Sequence, residues 1–176
     1  LYKSVHDNNF LTLTEGWKIV LIVLVHVDGL LVFATPDYIP WTHSTLEERF
    51  GKMKQLLPPL IFCGISHQYL ADGHLFCYQL QSLEKLKPIV LEKHRIKQGQ
   101  SSLKPKEHFD FRSNVCSLLW LTLTRQDIIA DVVLLQQHMV TPTIKDVLPA
   151  NIILKRTLSN ALMSGLHFHR PVLPLK

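Results

Sequence analysis

Apolar positions are densest between Lys18 and Asp37. There a β-branched and aliphatic run, Lys18-Ile-Val-Leu-Ile-Val-Leu-Val-His-Val-Asp-Gly-Leu-Leu-Val-Phe-Ala-Thr-Pro-Asp37, is interrupted once, at His26-Val27-Asp28-Gly29. The interruption reads as a tight turn between two buried strands, because Gly takes positive φ without steric cost and Asp tolerates it. Ahead of it Phe10-Leu-Thr-Leu-Thr14 alternates apolar and polar residues, Glu15-Gly16 supplies a turn, and Trp17 begins the long strand. The pattern predicts three antiparallel strands in succession through Phe33.

Beyond Thr35-Pro36-Asp37 the period changes. Ser44-Thr-Leu-Glu47 has the form of a capping box and predicts a helix that lays Leu46, Phe50 and Met53 on the sheet, with Glu47, Glu48, Lys52 and Lys54 in solvent. Leu57-Pro58-Pro59 ends that helix. Leu60 to Ile65 and His74 to Tyr78 predict a further hairpin turning at Asp72-Gly73, with Gly64 inside a strand where another backbone approaches closely. Leu80, Leu83 and Leu86 then mark a short amphipathic helix between Tyr78 and Leu91, closed at Pro88. Lys97 to Lys106 is the most loop-like stretch and the natural subdomain boundary; its lysines could meet phosphates or simply be solvated.

From His108 the chain turns helical. An apolar helix runs through Leu118-Leu-Trp-Leu121, Thr124 and Asp127 form a second capping box, and the next helix carries Ile128, Ile129, Val132, Val133 and Leu135. Thr143 caps a last helix with Asp146 in its first turn, and Pro149 should kink or restart it at Ala150-Asn151. Gly165 to Phe168 reads as a strand entry.

Composition adds bounds. With 176 residues and 47% hydrophobic content the chain can bury one core or two small ones. Its charged fraction of 19% is low, as expected of a fragment whose apolar surface is covered by more chain or by a partner, and a first residue other than Met suits an excerpt. A formal charge of +5 is compatible with a polyanion partner and with many others. Cys63, Cys77 and Cys116 form no Cys-x-x-Cys pair and read as buried, reduced thiols of an intracellular protein, cytoplasmic or nuclear. The run from Ile19 to Val27 is too short to cross a bilayer, and the opening residues form no signal peptide, so no membrane partner is expected. The histidines, among them His67, His74, His167 and His169, lack zinc spacing and read as scattered surface residues. No Gly-rich phosphate loop follows a strand, and no Ser occupies a nucleophile elbow.

The string His26-Val-Asp-Gly-Leu-Leu-Val32 resembles the catalytic hairpin of reverse transcriptases, most closely those of copia-type long-terminal-repeat retrotransposons. Their pattern is an aromatic residue or His, then Val, two Asp, and aliphatics; Asp28 matches the first Asp and Gly29 replaces the second. Phe62-Cys63-Gly64-Ile65 resembles the Phe-Leu-Gly-Ile segment that helps hold the primer strand. Phe111-Arg112, Cys116-Ser-Leu-Leu-Trp-Leu121 and Thr124-Arg-Gln-Asp-Ile128 are similar to later family blocks, with Cys116 in place of a Gly and Gln126 in place of a Pro. Loss of that Gly would crowd a helix contact.

This resemblance implies an α+β fragment of an RNA-directed DNA polymerase: an antiparallel palm-type sheet with a covering helix over residues 1–78, then a mostly helical thumb and connection over 79–165. Residues 166–176 would lead into a missing ribonuclease H domain, and the upstream palm and fingers would also be missing. Polymerases of this family use two Mg2+ ions held by several carboxylates. Asp28 would be a vestigial catalytic residue in an incomplete metal site, binding Mg2+ only weakly. The expectation is a pseudoenzyme with primer-grip-like residues Phe62, Cys63, Gly64 and Ile65, and weak binding of RNA-DNA or DNA duplex through Lys52, Lys54 and Arg125. The rival expectations are a non-catalytic protein-interaction module and a translated relic that does not fold alone.

Overall fold

The computed structural model describes residues 1–27, 29–161 and 164–169. They form a mixed α and β chain with two compact units, Leu1–Cys63 and Gly64–Lys176. The division falls earlier than the boundary at Tyr78 expected from sequence.

In the first unit, strands β1 (Tyr2–Lys3), β2 (Phe10–Glu15), β3 (Lys18–His26) and β4 (Gly29–Ala34) pair antiparallel in chain order. The meander expected from Phe10 to Phe33 is therefore present. Glu15 pairs with Lys18 across a two-residue turn in which Gly16 takes φ +57°. Trp17 consequently lies in the turn, fully exposed, and does not begin the strand. At the next hairpin His26 pairs with Gly29, so Gly29 opens β4, and the positive φ of +53° belongs to Val27. Asp28 lies outside the described residues. Val20, Leu21, Val23 and Leu31 are the buried apolar residues of this sheet.

Helix α1 (Tyr38–Phe50) starts six residues before the Ser44 box. Pro40 sits in its first turn, where the missing N–H loses no intrahelical bond, and Ser44 lies mid-helix with its hydroxyl donating to the Trp41 carbonyl at 3.0 Å. The helix stops at Gly51, φ +83°, ahead of Pro58-Pro59. Of the residues expected on the sheet, Leu46 and Met53 are half-buried and Phe50 is exposed; only Thr42 of this helix is buried. Lys52 and Lys54 follow the helix, both exposed, and β5 (Leu60–Phe62) completes the unit.

The predicted strand from Leu60 to Ile65 is split. Cys63 and Gly64 take φ +50° and +72°, which turns the chain between β5 and β6 (Ile65–Tyr69). Gly64 thus serves the turn and does not clear a strand for a passing backbone.

In the second unit β6 pairs antiparallel with β7 (Leu75–Tyr78), and β7 with β8 (Leu166–Phe168). Asp72-Gly73 makes the β6–β7 turn as expected, with Gly73 at φ +81° and the Asp72 carboxylate accepting the His74 N–H at 3.0 Å. The strand foreseen after Gly165 returns onto β7, pairing Phe76 with His167, and the chain from Arg170 lies outside the described residues. Gly165 permits that return: a Cβ there would stand 2.4 Å from the Cys77 carbonyl oxygen and 2.6 Å from the Phe76 ring.

Helices α2 (Leu80–Leu83), α3 (Lys93–Ile96), α4 (Pro105–Leu121), a 3-10 turn at Gln126–Ile128, α5 (Ile129–Gln136) and α6 (Ile144–Ser159) complete the unit. One core joins Phe111, Val115, Leu118 and Leu121 of α4 to Val132 of α5 and to Val147 and Leu154 of α6. The helix expected between Tyr78 and Leu91 is only the four residues of α2, yet Leu83, Leu86 and Ile89 all reach this core. Asn151 replaces the missing helical bonds by pairing with the Ile89 backbone as donor and acceptor, each at 2.9 Å. Helix α6 is capped as expected: the Thr143 N–H and hydroxyl both donate to the Asp146 carboxylate, at 2.8 and 2.7 Å. It continues through Pro149 without a break, because Pro149 faces solvent while Ile144, Val147, Ala150 and Leu154 pack inside. Packing of that face outweighs one absent hydrogen bond.

The thiols divide by environment. Cys77 is buried, and burial pushes its pKa up; Cys63 is half-buried and Cys116 exposed, so only one of the three matches the buried reading. Exposed Cys116 crowds no helix contact. Among the described residues no helix is long and apolar enough to cross a membrane.

Candidate functional site

The first unit brings together two stretches singled out in the sequence. At the β3–β4 hairpin the His26 ring meets the Phe62 ring edge-on, centroids 6.3 Å apart. A Cβ on Gly29 would stand 3.4 Å from Phe62 Cε2. The hairpin end is therefore roofed by the first residue of the primer-grip-like segment, and the residue replacing an Asp is the one lying against that ring. The other three members, Cys63, Gly64 and Ile65, follow along the turn into β6, and the division between compact units falls within this segment.

The other described carboxylates of this unit do not converge on the hairpin. Asp7 accepts the Asn9 N–H at 2.8 Å, Asp37 at the N-cap position of α1 makes no side-chain capping bond, and Glu15, opposite the far end of β3, accepts the Tyr38 hydroxyl. That bond, with Glu15 and Asp37 nearby, holds the Tyr38 phenol above its ordinary pKa. Among the described residues no three His, Cys, Asp or Glu side chains converge as a metal-holding group. A two-ion site needs several carboxylates on adjacent strands. The described donors, with glycine opening β4, do not fit one, and no chemical step through a metal follows.

The expected basic residues fare differently from one another. Lys52 and Lys54 are exposed on the first unit. Arg125 is only 2% exposed. Its Nε and Nη2 donate to the two Asp127 carboxylate oxygens at 2.8 and 2.9 Å, and its Nη1 donates to the Thr157 carbonyl at 3.0 Å. Each of the three guanidinium nitrogens has an internal partner and the side chain is enclosed, so Arg125 ties the 3-10 turn to α6 and presents no charge to a ligand. Hydrogen bonds from Arg125 hold the Asp127 carboxyl below the usual carboxylate range. Thr124 is no cap either: its hydroxyl donates to the buried Gln79 side-chain oxygen at 2.9 Å. Nothing in the local pattern marked that bond, which spans 45 positions of sequence.

The histidines are less scattered than expected. His74 and His169 stack edge to face at 4.5 Å, and His167 lies over Phe76 at 4.5 Å. His74 also pairs with Asp72, whose carboxyl is held low chiefly by the His74 backbone N–H. The antiparallel return of β8 onto β7 creates these contacts, a pairing that residue spacing alone does not reveal.

Comparison with models of known families, with curated proteins and with solved structures finds no match to this chain.

Proposed function

We propose that this chain is a catalytically silent piece of a copia-type reverse transcriptase, with a palm-type hairpin in its first unit, a thumb-like helical second unit, and residual binding of template-primer duplex. The observation that carries this reading is the contact of Phe62 with Gly29 and His26. It joins the two segments whose sequences resemble the family's catalytic hairpin and primer grip. Polymerase function is lost because Gly29 supplies no carboxylate. The test combines circular dichroism with binding of a labelled RNA-DNA hybrid at 50 and 200 mM salt. Binding that weakens steeply with salt is expected, with no nucleotide incorporation in Mg2+. A folded chain that ignores the hybrid defeats the reading.

A second reading, a protein-interaction module, draws on a different observation. Ile129, Val133 and Leu134 of α5 and Leu148 and Ile152 of α6 are exposed apolar residues that a protein partner would cover. Binding that is insensitive to salt and directed to protein would favour it.

A further inference from the structure

The net charge of this chain resides in one short segment. Between Glu84 and Lys106 there are seven Lys and Arg against two Asp and Glu, a net of +5; the remaining twelve of each sign cancel. We propose that Lys93, Lys97 and Lys106, extended along α4 by Phe109 and Arg112, form the surface on which this chain takes the phosphate backbone of a nucleic acid. The choice of partner rests on the nucleic-acid reading above. The location is independent of it and differs from Lys52, Lys54 and Arg125.

This surface is held in place. The loop before α4, expected to be a solvated linker, is bonded to the start of α6: the Lys145 N–H donates to the Gly99 carbonyl at 2.9 Å, the Ile144 N–H to that of Ser101 at 3.0 Å, and the Leu103 N–H to that of Pro142 at 3.3 Å. Arg95, buried beneath, spans α3 and α4 by donating to Glu107 and to the Ser102 carbonyl, each at 3.0 Å. Ordering cost is thus met on folding, not on binding.

Internal pairing then sorts the cations. Glu107 neutralises Arg95, and Glu92 takes Lys104, whose ammonium holds the Glu92 carboxyl low. Lys93, Lys97 and Lys106, like Lys85 and Lys87 before them, are exposed with no carboxylate partner among the described residues, and these three lie nearest the start of α4 in sequence. Phe109 follows Lys106 by one helical turn, and Arg112 follows Phe109 by another; Phe109 and Arg112, with Pro105 and His108, line an open groove along α4. An exposed aromatic ring beside dispersed cations can stack a base while the amines meet phosphates. A membrane is disfavoured as occupant because this end of α4 carries Lys106, Asp110 and Ser113 and lacks a continuous apolar face to insert.

The test measures binding of the full chain to a labelled RNA-DNA hybrid across 50 to 200 mM salt, with vesicles containing phosphatidylserine in parallel. In the triple variant K93Q/K97Q/K106Q affinity should fall tenfold or more, and the salt slope should shrink by about 2 to 3. The charge-retaining K93R/K97R/K106R variant should bind as the parent does, and K18Q/K155Q should change little. Undiminished binding by the triple glutamine variant would overturn the location while leaving the nucleic-acid reading intact. No hybrid binding by the folded parent would end both, and capture by vesicles alone would make the partner a lipid surface.

Discussion

The two units are built from comparably apolar sequence and put it to different ends. In the second, α4, α5 and α6 close on one core in which Phe111, Val115, Leu118 and Leu121 are inaccessible to solvent. In the first, a four-strand meander buries Val20, Leu21, Val23 and Leu31, while Trp17, Ile39, Trp41, Phe50 and Leu57 stand exposed. Hydrophobic content therefore sets how much surface can be buried, and the arrangement of elements sets how much is. Three successive helices offer one another apolar stripes; a sheet whose helix buries only Thr42 does not.

The largest expected effect separates the units directly. Phe111→Ala should cost about 3–5 kcal/mol, the range for emptying a well-packed aromatic site, whereas Phe50→Ala should lie within about 0.5 kcal/mol of the parent. Urea denaturation followed by circular dichroism checks both. An equal cost at the two positions would break the contrast, since it would mean that Phe50 is covered in solution.

Arg125 sharpens the contrast from the polar side. Arg125→Met keeps most of the volume and removes all three bonded nitrogens, and should cost about 2–4 kcal/mol. Hybrid affinity measured on folded protein should not change, since the guanidinium is already enclosed. If instead affinity falls while stability holds, Arg125 is a ligand contact and its burial does not persist in solution.

Asp127 gives the same tie a pH dependence. Its folded-state pKa lies below the ordinary value, so the ionised carboxylate adds stability above the carboxylate range, and that contribution is lost as pH falls through it. The side chain is half exposed, which limits the size of the effect. The urea midpoint should drop between about pH 7 and pH 3, and Asp127→Asn should flatten that part of the profile. An unchanged profile would show the pair to be energetically idle.

Strand periodicity made β2, β3 and β4 legible, because alternation and an Asp-Gly or Glu-Gly signal are local facts. The residue at positive φ was less so: Val27 holds it where Gly29 was expected, since register against β3 decides where a turn falls. Arg125 looked like a surface cation within Thr-Arg-Gln-Asp, and its burial depends on the Thr157 carbonyl 32 positions away. The roof of Phe62 over Gly29 was equally invisible, because each stretch resembled a family segment separately and nothing in either encoded their contact.

Capping signatures carry this lesson to its smallest energy. Ser44-x-x-Glu47, Thr124-x-x-Asp127 and Thr143-x-x-Asp146 have the same form, yet only Thr143 bonds the acidic residue three positions on. Pro40 already starts α1 upstream of Ser44, and Gln79 takes the Thr124 hydroxyl. Thr143→Ala should therefore cost about 1 kcal/mol, and Ser44→Ala should be neutral or slightly stabilising, because an exposed Ser inside a helix is the poorer helix former. Thermal melts of the two variants provide the comparison. A loss at Ser44 as large as that at Thr143 would move the start of α1 back to the box its sequence suggested.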